Sequence, residues 1–415
     1  MNTKMSLNAA WSIAVGGMVG GGIFSVLGVV VETAGAWAWL SFLVAGVIAL
    51  ISAHAYSQLS IKHREAGGAF LYLRQIGQHG PAGALSWLLI LGYILTISVY
   101  AFTFGEYVAH VFHTGSWLPR LLSLLVIGGF TVLSLRGVGD ISRVEIVTVY
   151  GKLLVLVGLA AVGLLHWSPQ ALTAGIAPRP WSAALIGAAT IFMAYEGFQL
   201  LSYDYHDLER PEVTLPWATI LAVLSVIAVY IVVALGATML VGASALIEHK
   251  EVALAVAGQK ALGTTGLVLV TVAAAFSTGS AINATLFSSS RLMESVSDRE
   301  ELPHHFSKRN AARVPHYAIL FIGVSAGVLA LLGDLTSLVE VASLIFLLTF
   351  GVVNFIAFLE KVPGRLLCLA GALSCAIAIV VAGIAQLQQS PLVMAGMAVA
   401  VAAIFIGRPW IMRKR

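Results

Sequence analysis

Residues 16–24 read Gly16-Gly17-Met18-Val19-Gly20-Gly21-Gly22-Ile23-Phe24, inside an apolar run from 7 to 33. Glycine in a helix interior costs about 1 kcal/mol relative to alanine. Gly16 and Gly20 suit the small-residue spacing that lets two helices approach closely. A triplet at 20–22 exceeds what one packed face uses, so the run predicts a helix that unwinds there. Unwound backbone at membrane depth must line a cavity or be covered by protein. It also aims free N–H groups and the positive end of a new helix at one spot, a geometry that suits a carboxylate.

The surroundings of this run are membrane-like throughout. Hydrophobic residues make up 59% of the 415 and charged residues 10%, against about 25% charged in soluble domains. Twelve stretches reach the roughly 20 apolar residues that a spanning helix needs: 7–33, 36–61, 81–112, 118–135, 141–166, 181–203, 215–242, 263–290, 315–333, 335–359, 365–386 and 391–410. With the N-terminus inside, only Arg120, Arg179, Lys250 and Lys260 of the 23 Lys and Arg fall on the far side, and Lys152 lies within a span. The positive-inside rule therefore places both termini in the cytoplasm. The net charge of +4 sits at the membrane surface and argues against a nucleic-acid partner. Cys368 and Cys375 are too few for a disulfide framework and read as buried thiols on one helix face.

The sixth span holds a second break signal, Ala194-Tyr195-Glu196-Gly197-Phe198-Gln199. An acid beside a glycine in mid-span is expensive and marks a functional position. Gly22-Ile23-Phe24 aligns with Glu196-Gly197-Phe198, and Gly80-Pro81-Ala82-Gly83 echoes Gly263-Thr264-Thr265-Gly266. Each pair lies five helices apart, so matching helices run in opposite directions, as an inverted-topology repeat requires.

At these residues the chain resembles the amino acid–polyamine–organocation (APC) superfamily of secondary transporters. Gly20-Gly21-Gly22-Ile23-Phe24 is similar to that family's G-[ST]-G-I-F break in helix 1. Arg64-Glu65-Ala66-Gly67-Gly68-Ala69-Phe70-Leu71-Tyr72 is similar to P-x-A-G-G-x-Y-x-Y before helix 3. Tyr195-Glu196-Gly197-Phe198-Gln199 resembles F-x-G-F-E. Asp207-Leu208-Glu209-Arg210-Pro211 through Leu215-Pro216-Trp217-Ala218 resembles E-x-x-N-P-x-R-x-x-P-x-A. Ser277-Thr278, Asn283, Ser290-Arg291, Leu302-Pro303 and Pro315 follow the helix 8 pattern. The chain departs from these patterns at Gly21 (Ser or Thr), Arg64 (Pro), Gln199 (Glu) and Arg210 (Asn). The resemblance implies a LeuT-like fold: five-plus-five inverted repeats with helices 1 and 6 discontinuous, over residues 1–180 and 181–360. Two C-terminal helices and a cytoplasmic tail, 361–415, follow.

Lys152 lies about 11 residues into the fifth span, about 16 Å deep at about 1.5 Å per residue. An ammonium at that depth must be paired, neutral or switching, because burial disfavours its charged form. The resemblance implies a proton-coupling role. Proton-driven relatives carry a helix 5 lysine where sodium-driven ones hold a sodium ion, and Ser277 and Thr278 match hydroxyl positions of that sodium site. Lys152 is expected to reach helix 1 carbonyls and these hydroxyls. Ser277 and Thr278 can equally bond back to their own helix. Glu196 is expected to meet a substrate amine, or else to cap the second half-helix.

The expected substrate site is Gly20, Gly21, Gly22, Ile23 and Phe24 with Ala194, Tyr195, Glu196, Gly197 and Phe198. Phe24, Tyr93, Tyr195 and Phe198 are candidate gates, with plain packing as the alternative for each. Trp37, Trp39, Trp117 and Trp181 read as interfacial anchors. Glu106, near the outer end of its helix, is expected to meet headgroup water. No Walker loop or metal-ligand spacing occurs, so no cofactor and no metal are expected. The expectation is a non-enzyme: a multi-pass inner-membrane permease, a proton-coupled symporter that moves an amino acid or related amine by alternating access. An uncoupled exchanger or facilitator and a non-transporting sensor are the alternatives.

Overall fold

A computed structural model describes residues 4–112, 115, 117–137, 142–389 and 391–407. Its helices are α1 Leu7–Ala34, α2 Ala38–His63, α3 Gly68–Gln75, α4 His79–Phe112, α5 Trp117–Leu135, α6 Ser142–Leu165, α7 Ala183–Thr190, α8 Pro211–Val241, α9 Ala243–Glu248, α10 Ala253–Asp298, α11 His316–Leu332, α12 Leu335–Leu359, α13 Arg365–Gln389 and α14 Pro391–Ala402. Eight apolar stretches among the described residues are long enough to cross a membrane, and the first, Leu7–His63, contains both α1 and α2. The basic C-terminal run from Arg408 to Arg415 and the segment 138–141 lie outside the described residues.

Most helix ends fall within a few residues of the twelve expected stretches, and eight apolar stretches among the described residues reach spanning length. Two short helices, α3 and α9, were not anticipated. The eighth span was expected from 263; α10 starts ten residues earlier and bends at Leu262 and Gly263, whose φ is 62°. The sixth span is broken. α7 ends at Thr190, and short 3-10 turns follow at Phe192–Tyr195, Phe198–Ser202 and Tyr205–Asp207.

The first helix overturns the expectation drawn from its glycines. α1 is continuous from Leu7 to Ala34, and none of residues 20–22 has a positive φ. The reason is its position. It packs against α6, α7, α8 and α10, and every residue from Ala14 to Val31 is buried. Successive residues point about 100° apart, so three consecutive glycines serve three neighbours. A Cβ on Gly20 would stand 2.3 Å from the Ala281 Cβ on α10. On Gly21 it would stand 1.9 Å from the Tyr100 ring on α4, and on Gly22 2.3 Å from the Tyr230 hydroxyl on α8. The triplet admits three close contacts around a central helix.

The periphery is different. Leu124, Leu125, Val132 and Leu133 on α5 are exposed, as are Leu154 and Val157 on α6 and Leu373, Ile377 and Val380 on α13. Such apolar surface is what a bilayer covers. Trp117 and Trp181 are also exposed, as interfacial anchors require. Cys368 and Cys375 are free and buried in α13.

Candidate functional site

The break in the sixth span lies directly on the first helix. Glu196 is extended (φ −67°, ψ 137°) and Gly197 has φ 138°. A Cβ on Gly197 would fall 2.6 Å from the Met18 nitrogen, and one on Gly17 3.0 Å from the Gly197 Cα. Only glycine allows both this φ and this approach.

A broken helix leaves backbone groups that must be satisfied inside the protein. Here side chains from other helices do it. Ser343 on α12 donates its hydroxyl to Thr190 O (2.6 Å) and accepts from Met193 N (3.0 Å). The Tyr230 hydroxyl lies between Met18 O (2.7 Å) and Ala194 O (2.9 Å), joining both candidate halves of the site. Tyr195 donates to Phe42 O on α2 (2.7 Å). Neither Ser343 nor Tyr230 was singled out in the sequence; each is one polar residue in an apolar helix, and only the packing reveals what it faces. Tyr230→Phe is expected to lower stability by about 1–2 kcal/mol, because it leaves a buried carbonyl unsatisfied. A thermal melt of the detergent-purified variant, a few degrees below wild type, checks this.

Lys152, only 2% exposed, donates to Gly16 O at 3.1 Å. The Ser277 hydroxyl donates to Val19 O at 3.0 Å. Thr278 instead bonds back to Ala274 O at 2.8 Å within its own helix. Three donors from α6, α8 and α10 thus converge on the carbonyls of Gly16, Met18 and Val19. A carbonyl has two lone pairs, so these contacts add to the bonds of an intact helix. The expected meeting of Lys152 with helix 1 is present without unwinding.

Glu196 is buried, and its Oε1 accepts from Gln199 Nε2 at 2.8 Å. Gln199 Oε1 in turn accepts from Gly197 N at 2.8 Å, which fixes the orientation of the amide. The aromatic candidates are all buried but form no single cluster. Phe24 meets Tyr107 edge-on, and the Tyr107 hydroxyl donates to Phe24 O at 3.1 Å. Tyr195 packs on Tyr230. Tyr93 and Phe198 are joined through Phe346 and Phe350 of α12, and the Tyr93 hydroxyl lies 3.4 Å from that of Tyr203.

Just after the broken sixth span Asp204 pairs with Arg291 at 3.8 Å. Burial pushes the Asp204 carboxyl up to about 6, with Arg291 opposing. The backbone of Met5 bridges to Asp207 O (2.7 Å) and Glu209 N (2.9 Å), tying the chain before α1 to the stretch after the break. A cavity of about 370 Å³ is lined by Glu106, His110, Glu248, His249, Lys250 and Glu251. Glu106 thus meets a polar cavity instead of packing into the site. Lys250 reaches Glu32 at 2.8 Å, and burial raises the Glu251 carboxyl. Among the described residues no group of His, Cys, Asp and Glu is arranged to hold a metal.

Comparison with known proteins places this arrangement. The chain is 30% identical over 361 residues to the inner membrane transport protein YbaT of Escherichia coli, covering 86% of this chain and 83% of that one. It is 24% identical over 368 residues to the serine/threonine exchanger SteT of Bacillus subtilis, covering 86% and 83%. Its fold is shared with MhsT, solved in complex with L-phenylalanine (TM-score 0.69, 15% identity, 90% of this chain and 98% of that one). That likeness establishes the LeuT-type fold. The amino acid permease profile matches residues 5–407, and the protein is a multi-pass membrane protein that belongs to the amino acid permease family of the APC superfamily.

Proposed function

We propose that this protein is a proton-coupled amino acid transporter of the cytoplasmic membrane, with both termini inside, working by alternating access. The observation that carries the proposal is the Lys152 ammonium on Gly16 O, buried at mid-span beside the Ser277–Val19 contact. A protonated lysine there adds a charged donor to the helix that backs the substrate site. A neutral one weakens that hold. Protonation of Lys152 then biases how the body made of α1, α2, the sixth span and α8 sits against α4, α6 and α10.

The substrate binds between the glycine face of α1 (Gly20, Gly21, Gly22, Ile23, Phe24) and the break (Ala194, Tyr195, Glu196, Gly197, Phe198). Tyr93, Tyr195 and Phe198 gate it. The two halves, 1–180 and 181–360, are read as inverted repeats. Amino acid relatives such as SteT support an amino acid as cargo.

The test is a thermal-shift screen of the detergent-purified protein against the proteinogenic amino acids and polyamines. A ligand that binds the native state raises its melting temperature by mass action, about 2.7 kcal/mol at a hundredfold excess over Kd. At least one amino acid is expected to shift the melt and to be taken up by proteoliposomes. A flat screen with no uptake would contradict the reading.

A further inference from the structure

Two buried polar side chains lie along the glycine face of α1, Tyr100 against Gly21 and Glu196 next to Gly197. Tyr100, on α4, is fully buried, and its hydroxyl makes no hydrogen bond. Glu196 accepts from Gln199 through Oε1, and a carboxylate can accept several such bonds. Neighbouring hydroxyls are used elsewhere: Tyr230 on the Met18 and Ala194 carbonyls, and Tyr93 with Tyr203. The Tyr100 ring lies on Gly21, and Gly197, next to Glu196, lies on Gly17, one turn earlier on the same face of α1.

The placement of Tyr100 is tied to a departure in the first helix. Its ring lies across Gly21, where a Cβ would come within 1.9 Å of Cδ1 and 2.3 Å of Cε1. Gly21 stands where the family pattern has Ser or Thr. The ring therefore occupies the space of the missing side chain and brings a different hydroxyl to the same wall of the site. On the adjoining wall, Gly22 faces Ala194 and Gly17 faces Gly197, so Tyr100 and the break residues share the glycine face of α1. Because α1 is continuous, its amides at 21–23 are taken by carbonyls one turn back. A carboxylate only accepts and a phenol hydroxyl can accept as well as donate, a pair that suits a cationic amine.

We infer that Tyr100 is a specificity-determining residue whose hydroxyl, with the Glu196 carboxylate, receives the protonated primary amine of the substrate. An ammonium carries three donors and no acceptor, so it can bond the carboxylate and the phenolic oxygen together. The inference rests on the transport reading and goes further by assigning the end of the substrate recognised here and the residue that recognises it.

The experiment measures binding to detergent-purified wild type, Tyr100→Phe, Gly21→Ser and Glu196→Gln by thermal shift. Three panels serve as probes: the proteinogenic amino acids, the primary amines made by removing their carboxylates, and their N-acetyl derivatives. Wild type is expected to bind an amino acid and its amine but not its N-acetyl form. Tyr100→Phe weakens both by about five- to tenfold, the worth of one such hydrogen bond. Its ligand-free melting temperature stays equal to or above wild type, since an orphan hydroxyl has been removed; a merely structural tyrosine would lower it. Gly21→Ser displaces the ring and weakens binding likewise, and Glu196→Gln weakens it further. Equal binding by Tyr100→Phe and wild type, or equal binding of N-acetyl forms, overturns this inference alone. If no compound shifts wild type, both this inference and the transport reading fall.

Discussion

Proteoliposomes carrying Lys152→Ala are expected to take up substrate only to equilibrium, whatever pH gradient is imposed, whereas wild type is expected to accumulate it. For one proton per substrate, one pH unit supplies about 1.4 kcal/mol, a tenfold accumulation. The variant is expected to lose all of it. The cause is local. Lys152 sends its ammonium to Gly16 O at 3.1 Å from a position 2% exposed, so its removal takes a switchable charge off the central helix. Lys152→Arg separates charge from switching. A guanidinium stays protonated, so this variant is expected to bind substrate and fail to transport it against a gradient. Radiolabelled uptake with and without an inward proton gradient measures both. Gradient-driven accumulation by Lys152→Ala would show that coupling lies elsewhere.

The largest structural effect is expected at Gly197→Ala. Its φ of 138° is closed to an L side chain, and the added Cβ would lie 2.6 Å from Met18 N and 2.7 Å from Gly17 C. Both obstacles are backbone of the central helix, so nothing small can move aside. Strain of about 1–3 kcal/mol from the dihedral adds to the clash of α1 against the break. Purified Gly197→Ala is expected to melt several degrees lower and to lose binding. Gly17→Ala, at 3.0 Å from Gly197 Cα, is expected to be milder. A Gly197→Ala protein with wild-type melting and binding would mean that α1 and the break are not held this closely.

What could be read from the chain alone divides along physical lines. The spans were legible because a bilayer demands about 20 apolar residues, and each loop carries its charge locally. The break at Glu196-Gly197 was legible because an acid next to a glycine at mid-depth has no ordinary use. The burial of Lys152 was legible from its depth in the span. The triplet at 20–22 was misread because glycine weakens a helix and also lets it be crowded, and the choice depends on how many neighbours the helix has. α1 turned out to be surrounded. Tyr100, Tyr230 and Ser343 stayed hidden for a related reason. Each is an ordinary polar residue in its own helix, and its meaning comes from a partner that is far away in sequence. Ser277 and Thr278 show the limit most sharply. They are adjacent hydroxyls on one helix, yet Ser277 reaches Val19 O while Thr278 turns back to Ala274 O. Arg64 departs from the family's proline for a visible reason: its φ is 51°, which the proline ring forbids.

The central claim is that substrate and proton cross together. Its most direct test is the internal pH of wild-type proteoliposomes, read by a trapped pH dye while an amino acid that scores in the thermal-shift screen is added outside, with no gradient imposed. Acidification of the interior is expected on addition, absent when the amino acid is withheld and absent with Lys152→Ala. Uptake of the same amino acid by wild type with no change in internal pH would contradict it.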